Sequence, residues 1–256
     1  MKVILTSDLT IFEELRALGE KRGFVVEKHL ALNIKTKTDI NKDELEYVKT
    51  VNNMIFQSKN AVKYSERLHN EIQKNKEAKM YCLGKYTKTE LKKYFVNEVM
   101  HPVTKYSSEN LLELIMKENV STESFVIIKG EGGRDYLENN LSDIGCNVKT
   151  LNVYERIAND SFLDDIVLSV DSNNYLLVSS KLALQELIKT IMNFEKKYTL
   201  ILVLPNMRLV DGLNTLNFKN VLIICNSSSA NIYANILEQD NEKKLDNIGR
   251  QWLPWR

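Results

Sequence analysis

Residues 125–156, FVIIKGEGGRDYLENNLSDIGCNVKTLNVYER, constrain the fold more than any other stretch of the chain. The run Phe125–Ile128 is apolar and rich in β-branched residues, and it stops at a loop carrying Gly130, Gly132 and Gly133. A helical pattern follows with Leu137, Leu141 and Ile144 on one face and Gly145 at its end, and Val148–Tyr154 reads as a second strand. Strand, glycine-rich loop, helix, strand is a parallel βαβ unit. Its crossover is right-handed, and ligands of such sheets lie at the loops that leave the strands.

The same alternation runs through the chain. Strand-like runs fall at Val3–Thr6, Phe24–Lys28, Met54–Gln57, Met80–Leu83, Phe125–Ile128, Val148–Val153, Tyr175–Val178, Leu200–Leu204 and Val221–Cys225. Helical patterns lie between most of them, at Ile11–Arg22, Ala61–Gln73, Ser108–Lys117, Arg134–Ile144, Leu182–Phe194 and Ala230–Glu238. About nine strands exceed one comfortable sheet, so the expected fold class is α/β with two doubly wound parallel-sheet domains. Two polar segments, Lys35–Lys42 and Ala158–Asp165, are placed to carry the chain across a domain junction. That division gives a discontinuous domain, 1–34 plus 160–256, with 38–156 inserted and two extended linkers near 35–37 and 157–159. A double crossing limits the domains to hinge bending, which suits a ligand cleft between them. A simple tandem division near residue 156 is the alternative that periodicity leaves open.

Composition narrows the function. In 256 residues, 43% hydrophobic content supplies a full core, and a formal net charge of +1 gives no support for broad nucleic-acid or anionic-membrane binding. No apolar run approaches the ~20 residues that span a bilayer, and MKVILTSD reads as a strand rather than a signal peptide. Cys82, Cys146 and Cys225 are far apart, two of them within strand patterns, and read as reduced thiols of a cytoplasmic protein. His29, His69 and His101 have no metal-ligand spacing, so no metal is expected.

Chemistry gathers at the strand exits. Ser58-Lys59-Asn60 follows Phe56, Gly84-Lys85-Tyr86-Thr87 follows Leu83, Ser179-Ser180-Lys181 follows Val178, and Ser227-Ser228-Ser229 follows Cys225. Each precedes a helical pattern, and a helix N-terminus with its free N–H groups attracts carboxylates or phosphates. The simpler reading of any one cluster is an N-cap, with Ser58, Ser107 or Ser179 satisfying its own helix. Repetition at several exits favours a site for a ligand with several anionic groups. The loop GEGGR departs from G-x-G-x-x-G, and Glu131 would repel a pyrophosphate, although Glu155 stands where a ribose-binding acid would. No Walker A motif and no nucleophile elbow is present. The terminal Trp252–Trp255 stretch is expected to pack on the body of the protein, the alternative being a partner.

Four phrases together resemble the uroporphyrinogen-III synthase family: IFQSKNA at Ile55–Ala61, CLGKYT at Cys82–Thr87, SSENLL at Ser107–Leu112, and the stretch through Tyr154-Glu155-Arg156. The resemblance extends in order and spacing over nearly the whole chain, more closely in the inserted part than in the flanking part. The resemblance implies two α/β lobes, no organic cofactor and no metal. It implies cyclisation of the linear tetrapyrrole hydroxymethylbilane with inversion of its terminal ring. Tyr154 matches the tyrosine placed to assist departure of the hydroxymethyl oxygen. Ser58, Asn60, Gly84, Lys85, Tyr86, Thr87, Gly132, Gly133, Ser179 and Ser180 fall at positions expected to bind substrate. The expected partner is that substrate, met by a monomer with transient contact to the preceding pathway enzyme and with neither nucleic acid nor membrane.

The sequence departs from the family at Ser7, where an Arg is usual, and within Leu30-Ala31-Leu32, where a Pro is usual. A second Gly-x-x-Thr turn is replaced by Leu204-Pro205-Asn206-Met207, leaving Asn206 and Arg208 as candidate substitutes. A non-catalytic binding protein for a small polyanion, or a degenerate homologue, are the alternatives.

Overall fold

In the computed structural model the described residues are 1–7, 11–103, 106–159, 161–162, 166–191, 200–205, 209, 221–223 and 229–245. The chain divides into two compact units, one formed by Met1–Asn33 with Ala158–Arg256 and the other by Ile34–Ile157.

The first unit holds β1 (Lys2–Leu5), α1 (Phe12–Arg22) and β2 (Val25–Lys28). The second begins around β3 (Leu32–Thr36) and continues through α2 (Lys42–Thr50), β4 (Asn53–Phe56), α3 (Lys59–Lys63), α4 (His69–Lys74), β5 (Lys79–Cys82), α5 (Lys85–Leu91), β6 (Val99–Met100), α6 (Ser108–Ile115), β7 (Ser124–Gly130), α7 (Tyr136–Asp143) and β8 (Asn147–Ala158). The chain then returns to the first unit for β9 (Asn174–Leu177), α8 (Lys181–Ile191), β10 (Leu200–Leu204), β11 (Val221–Ile223) and α9 (Ser229–Leu245). Asn159 anchors the return, its backbone N–H donating to Ala31 O at 3.1 Å and its side-chain amide to Leu30 O at 2.8 Å.

The first sheet has the order β11-β10-β9-β1-β2, and every adjacent pair is parallel. The strand order reverses between β1 and β9, which makes that junction a topological switch point. Alternate residues face opposite layers, as strand geometry requires. Val3, Leu5, Tyr175, Leu177, Ile201 and Val203 pack with Leu15 of α1 and Ile232 and Ile236 of α9. Ile4, Leu176, Val178, Leu202 and Leu204 pack with Ala183, Leu184 and Leu187 of α8.

The second sheet has the order β3-β8-β7-β4-β5-β6, with parallel pairing from β8 through β6 and a switch point between β4 and β7. One face carries Met54, Phe56, Met80, Cys82, Val126, Ile128, Leu151, Val153 and Tyr154 against Val48, Ala61, Val62 and Ile72 of the covering helices. The opposite face carries Ile55, Tyr81, Phe125 and Ile127 against Leu111 and Ile115 of α6 and Leu137 and Leu141 of α7. Each such side chain contributes roughly 1.5–3 kcal/mol by leaving water, so both faces need their helices.

Three local expectations are corrected. The polar segment Lys35–Lys42 is more ordered than its composition suggests, because β3 runs to Thr36 and α2 starts at Lys42. Asn41 and Glu44 form a capping box, Glu44 N–H donating to Asn41 Oδ1 at 2.9 Å and Asn41 N–H to Glu44 Oε2 at 2.8 Å. The expected helix Ala61–Gln73 is two helices with a 3₁₀ turn, Glu66–Leu68, between them. The buried Ser65 hydroxyl donates to Val62 O at 2.9 Å and competes with the helical ladder there. Eleven strands occur among the described residues; β3 and β6 add to the expected set, the first because it is mostly exposed and polar, the second because it is two residues long.

Candidate functional site

The exits of β4 and β7 converge on the Tyr154 phenol of β8. The register explains how. Lys129 of β7 stands opposite Asn152 of β8, yet Gly130 stands opposite Tyr154, so β8 carries one extra residue at this point. Plain alternation would turn Tyr154 away from Leu151 and Val153, whereas the bulge brings all three into the same cluster. A bulge re-aims a side chain in this way.

Gly130 is the partner of that arrangement. A Cβ built there would lie 2.3 Å from Tyr154 Cζ and 2.7 Å from its oxygen, so the ring crosses directly over the glycine. Beyond it, Gly132 takes φ +69°, a left-handed conformation that favours glycine. Glu131 N–H donates to Tyr154 O at 2.8 Å, and Gly133 N–H returns to Gly130 O at 3.3 Å. The loop is braced from below by Lys129, whose side chain is only 6% exposed. Its ammonium donates to Gly133 O at 3.3 Å and Arg134 O at 3.4 Å and pairs with the Asp135 carboxylate. Glu131 itself is tied outward, its carboxylate 2.9 Å from Lys37 Nζ.

The phenol is 2% exposed and has two polar neighbours. Ser58 Oγ lies 3.3 Å from its oxygen, and Arg156 donates to that oxygen from Nη2 at 2.9 Å. Arg156 also reaches over the ring, 5.1 Å from its centre, and Tyr64 at the end of α3 packs against it at 5.7 Å. Ser58 caps α3 by accepting from Ala61 N–H at 3.0 Å. The N-cap reading and the site reading are therefore both realised in one residue.

The remaining candidates are spread along these sheet ends. Asn60 is half-buried in α3, where its carbonyl accepts from Tyr64 N–H at 2.9 Å. Gly84 occupies the N-cap position of α5 with no side-chain cap, and a Cβ there would meet the Tyr106 ring at 2.9 Å. Lys85 and Tyr86 are exposed and stack on each other, the ammonium 5.1 Å from the ring centre, while Thr87 is buried. This group follows β5, the strand beside β4, and stands apart from the hydrogen bonds that hold Tyr154. Gly132 is exposed and Gly133 half-buried in the loop already described.

Ser179 and Ser180 belong to the first unit, at its own switch point. Ser180, not Ser179, caps α8, accepting from Ala183 N–H at 3.1 Å. Ser179 instead meets Ser7, with 2.5 Å between their hydroxyl oxygens. Asn206, Arg208, Cys225, Ser227, Ser228 and Trp252–Trp255 lie outside the described residues.

Other titratable groups stand apart from this chemistry. Burial pushes the Cys82 thiol up to about 11 and the Tyr81 phenol up to about 12, and it lowers His69, which packs against Tyr94 and Phe95. His29 bonds Glu27 at 3.0 Å, and His101 lies 2.7 Å from Pro102 O. No group of three metal-ligating side chains occurs among the described residues, and no described helix is long and apolar enough to cross a membrane.

Sequence reasoning missed Arg156, Lys129 and Gly130 as members of this site. Arg156 had a signal, since residues two apart on a strand share a face. Gly130 was legible as part of the glycine-rich loop, but its place beneath the Tyr154 ring, like the bracing by Lys129, had no signal without knowledge of the bulge.

These features define a doubly wound α/β protein of two units, with a polar, tyrosine-centred site at the switch point of the second. The sequence matches the family HEM4, uroporphyrinogen-III synthase HemD, over residues 13–229. The chain belongs to the uroporphyrinogen-III synthase family. A curated uroporphyrinogen-III synthase from Proteus mirabilis is 25% identical over 129 residues, which is 50% of this chain and 65% of that protein, just under two thirds of its length. The fold is similar to crystal structures of the synthetase from Helicobacter pylori (TM-score 0.64, 14% identity, covering 93% of this chain and 99% of that one) and of a mutant synthase from Thermus thermophilus (TM-score 0.55, 13% identity, covering 95% and 99%).

Proposed function

We propose that the chain is a cyclising lyase that closes hydroxymethylbilane into uroporphyrinogen III. The observation that carries this reading, beside family membership, is the Tyr154 phenol held between Ser58 and Arg156 over a glycine that leaves room for it. In the proposed step the phenol O–H bond breaks and its proton goes to the hydroxymethyl oxygen. The C–O bond breaks with its electron pair on that oxygen, water leaves, and the pyrrole nitrogen lone pair stabilises the cation as an azafulvene. The terminal pyrrole attacks through its substituted carbon to give a spiro intermediate. Fragmentation and reclosure invert that ring, and the proton lost on rearomatisation returns to the phenolate, so the balance is loss of one water.

Electron-rich pyrroles carry most of this chemistry, and the protein's contribution is to fix which carbon attacks. Because the ring is so little exposed, its proton reaches the leaving oxygen through Ser58 Oγ or after that hydroxyl swings aside. The substrate's acetate and propionate carboxylates are assigned to the strand exits: Ser58 and Asn60, Gly84–Thr87, Gly132 and Gly133, with Ser179 and Ser180 in the first unit. Backbone N–H groups there serve as well as hydroxyls.

The test is incubation of the full chain with enzymatically generated hydroxymethylbilane, followed by oxidation and separation of the porphyrin isomers. The expected product is the III isomer. Tyr154→Phe should slow its formation about 10²-fold or more, the usual scale of a lost general acid. Isomer I alone, at the spontaneous rate, would sink the enzyme reading in favour of a binding protein.

A further inference from the structure

We infer that Arg156 is the positioning residue for the Tyr154 phenol, directing its hydrogen and stabilising the phenolate formed when that hydrogen leaves. This rests on the proposed role of Tyr154 as proton donor. A phenol oxygen carries one hydrogen and can accept two bonds. Arg156 Nη2 donates into it at 2.9 Å, so the cation occupies one accepting direction and the phenol hydrogen points away from the guanidinium. The direction left holds Ser58 Oγ at 3.3 Å, and that hydroxyl is already aligned because it accepts from Ala61 N–H at 3.0 Å.

The result is a short relay: guanidinium to phenol, phenol to Ser58, with the start of α3 fixing the far end. Guanidinium is charged at every working pH and its donors form a rigid fork, so it holds this polarity constantly. It also lies across the ring, 5.1 Å from the ring centre, which restrains the phenol from swinging off the bulge. Both residues sit two apart on β8, so the same strand that aims Tyr154 delivers its cation. Glu155, between them, pairs with Lys35 at 3.6 Å, so its charge is committed to another cation.

An arginine near a polyacidic substrate has an obvious competing job, which is to bind a carboxylate directly. The two roles separate kinetically. A positioning role acts in the transition state and lowers kcat, whereas a carboxylate contact made equally in ground and transition states raises KM.

The experiment measures kcat and KM for III-isomer formation in the wild type, Arg156→Gln, Arg156→Lys, Tyr154→Phe and the Tyr154→Phe/Arg156→Gln double variant, with circular dichroism confirming each fold. Arg156→Gln should lower kcat about tenfold, equivalent to about 1.4 kcal/mol, with KM within a factor of two. Arg156→Lys should recover part of that loss, and Arg156→Gln should cost nothing further once the phenol is gone. A raised KM at unchanged kcat, or an equal loss in the Tyr154→Phe background, overturns the inference while leaving the proposed function standing. Wild-type kcat in Tyr154→Phe removes the proton-donor reading itself, and the inference with it.

Discussion

The two switch points of this protein are built from the same strand-order logic and furnished differently. In the second unit, the exits of β4 and β7 meet a braced glycine loop, a buried ammonium, and a phenol brought in from β8 by a bulge. In the first, the exits of β1 and β9 meet through two hydroxyls, Ser7 and Ser179, and a capped helix, with no glycine at either turn. A doubly wound sheet supplies a ligand position at each switch point whatever its side chains. What distinguishes the two is the chemistry of those side chains. Among the described residues, the second holds a phenol with a cation beside it, and the first holds hydroxyls. Under the proposed function, chemistry belongs to the second unit and holding to the first.

The largest effect that sharpens this contrast is expected at Gly130. Its added methyl in Gly130→Ala would fall within 2.3 Å of the Tyr154 ring, and the ring must shift to make room. A displacement of about 1 Å costs about 10²-fold in rate, and overpacking costs roughly 1–3 kcal/mol in stability. Steady-state kinetics and thermal melting check both. Activity near wild type would show that the phenol's placement over Gly130 does not matter to the reaction.

Next in size is Lys129→Met. The ammonium is nearly buried, so its removal relieves desolvation while the carbonyls of Gly133 and Arg134 lose a donor. These opposing terms leave stability changed by about 1 kcal/mol or less in either direction. The loop, however, loses its brace. Hydrogen exchange should quicken at residues 131–135, and kcat/KM should fall roughly tenfold, about 1.4 kcal/mol. Unchanged exchange would mean that the loop holds its shape through Gly132 and the Glu131 bond to Tyr154 alone.

How much of this was legible in the sequence differs between elements. The apolar β-branched strands were plain, and so was the glycine loop, because Phe125–Ile128 has no other way to bury both faces than between helices. β3 was illegible for the opposite reason: Leu32–Thr36 is largely exposed and is held by its hydrogen bonds to β8. The capping box of Asn41 and Glu44 was readable but straddled the end of the segment Lys35–Lys42, whose polarity suggested a junction. Within the site, Ser58 and Tyr154 were found by motif. Their meeting was not, since strand alternation puts Tyr154 on the wrong face until the bulge against Gly130 turns it. A bulge is a tertiary event, fixed by what the neighbouring strand lacks.

The smallest effect is expected at the serine pair of the first unit, and it tests whether that switch point is only a holder. Ser7 and Ser179 are both half-buried, and their hydroxyls bond each other at 2.5 Å. Removing one leaves the other a poorly solvated group, whereas removing both deletes the demand along with the supply. Ser179→Ala should therefore cost about 1 kcal/mol of stability, and Ser7→Ala/Ser179→Ala should cost less than the two singles added. On activity, Ser179→Ala should raise KM about threefold, less than one net hydrogen bond, with kcat unchanged. A fall in kcat instead would place transition-state chemistry in the first unit, and the division of labour between the two switch points would have to be redrawn around the hydroxyl pair.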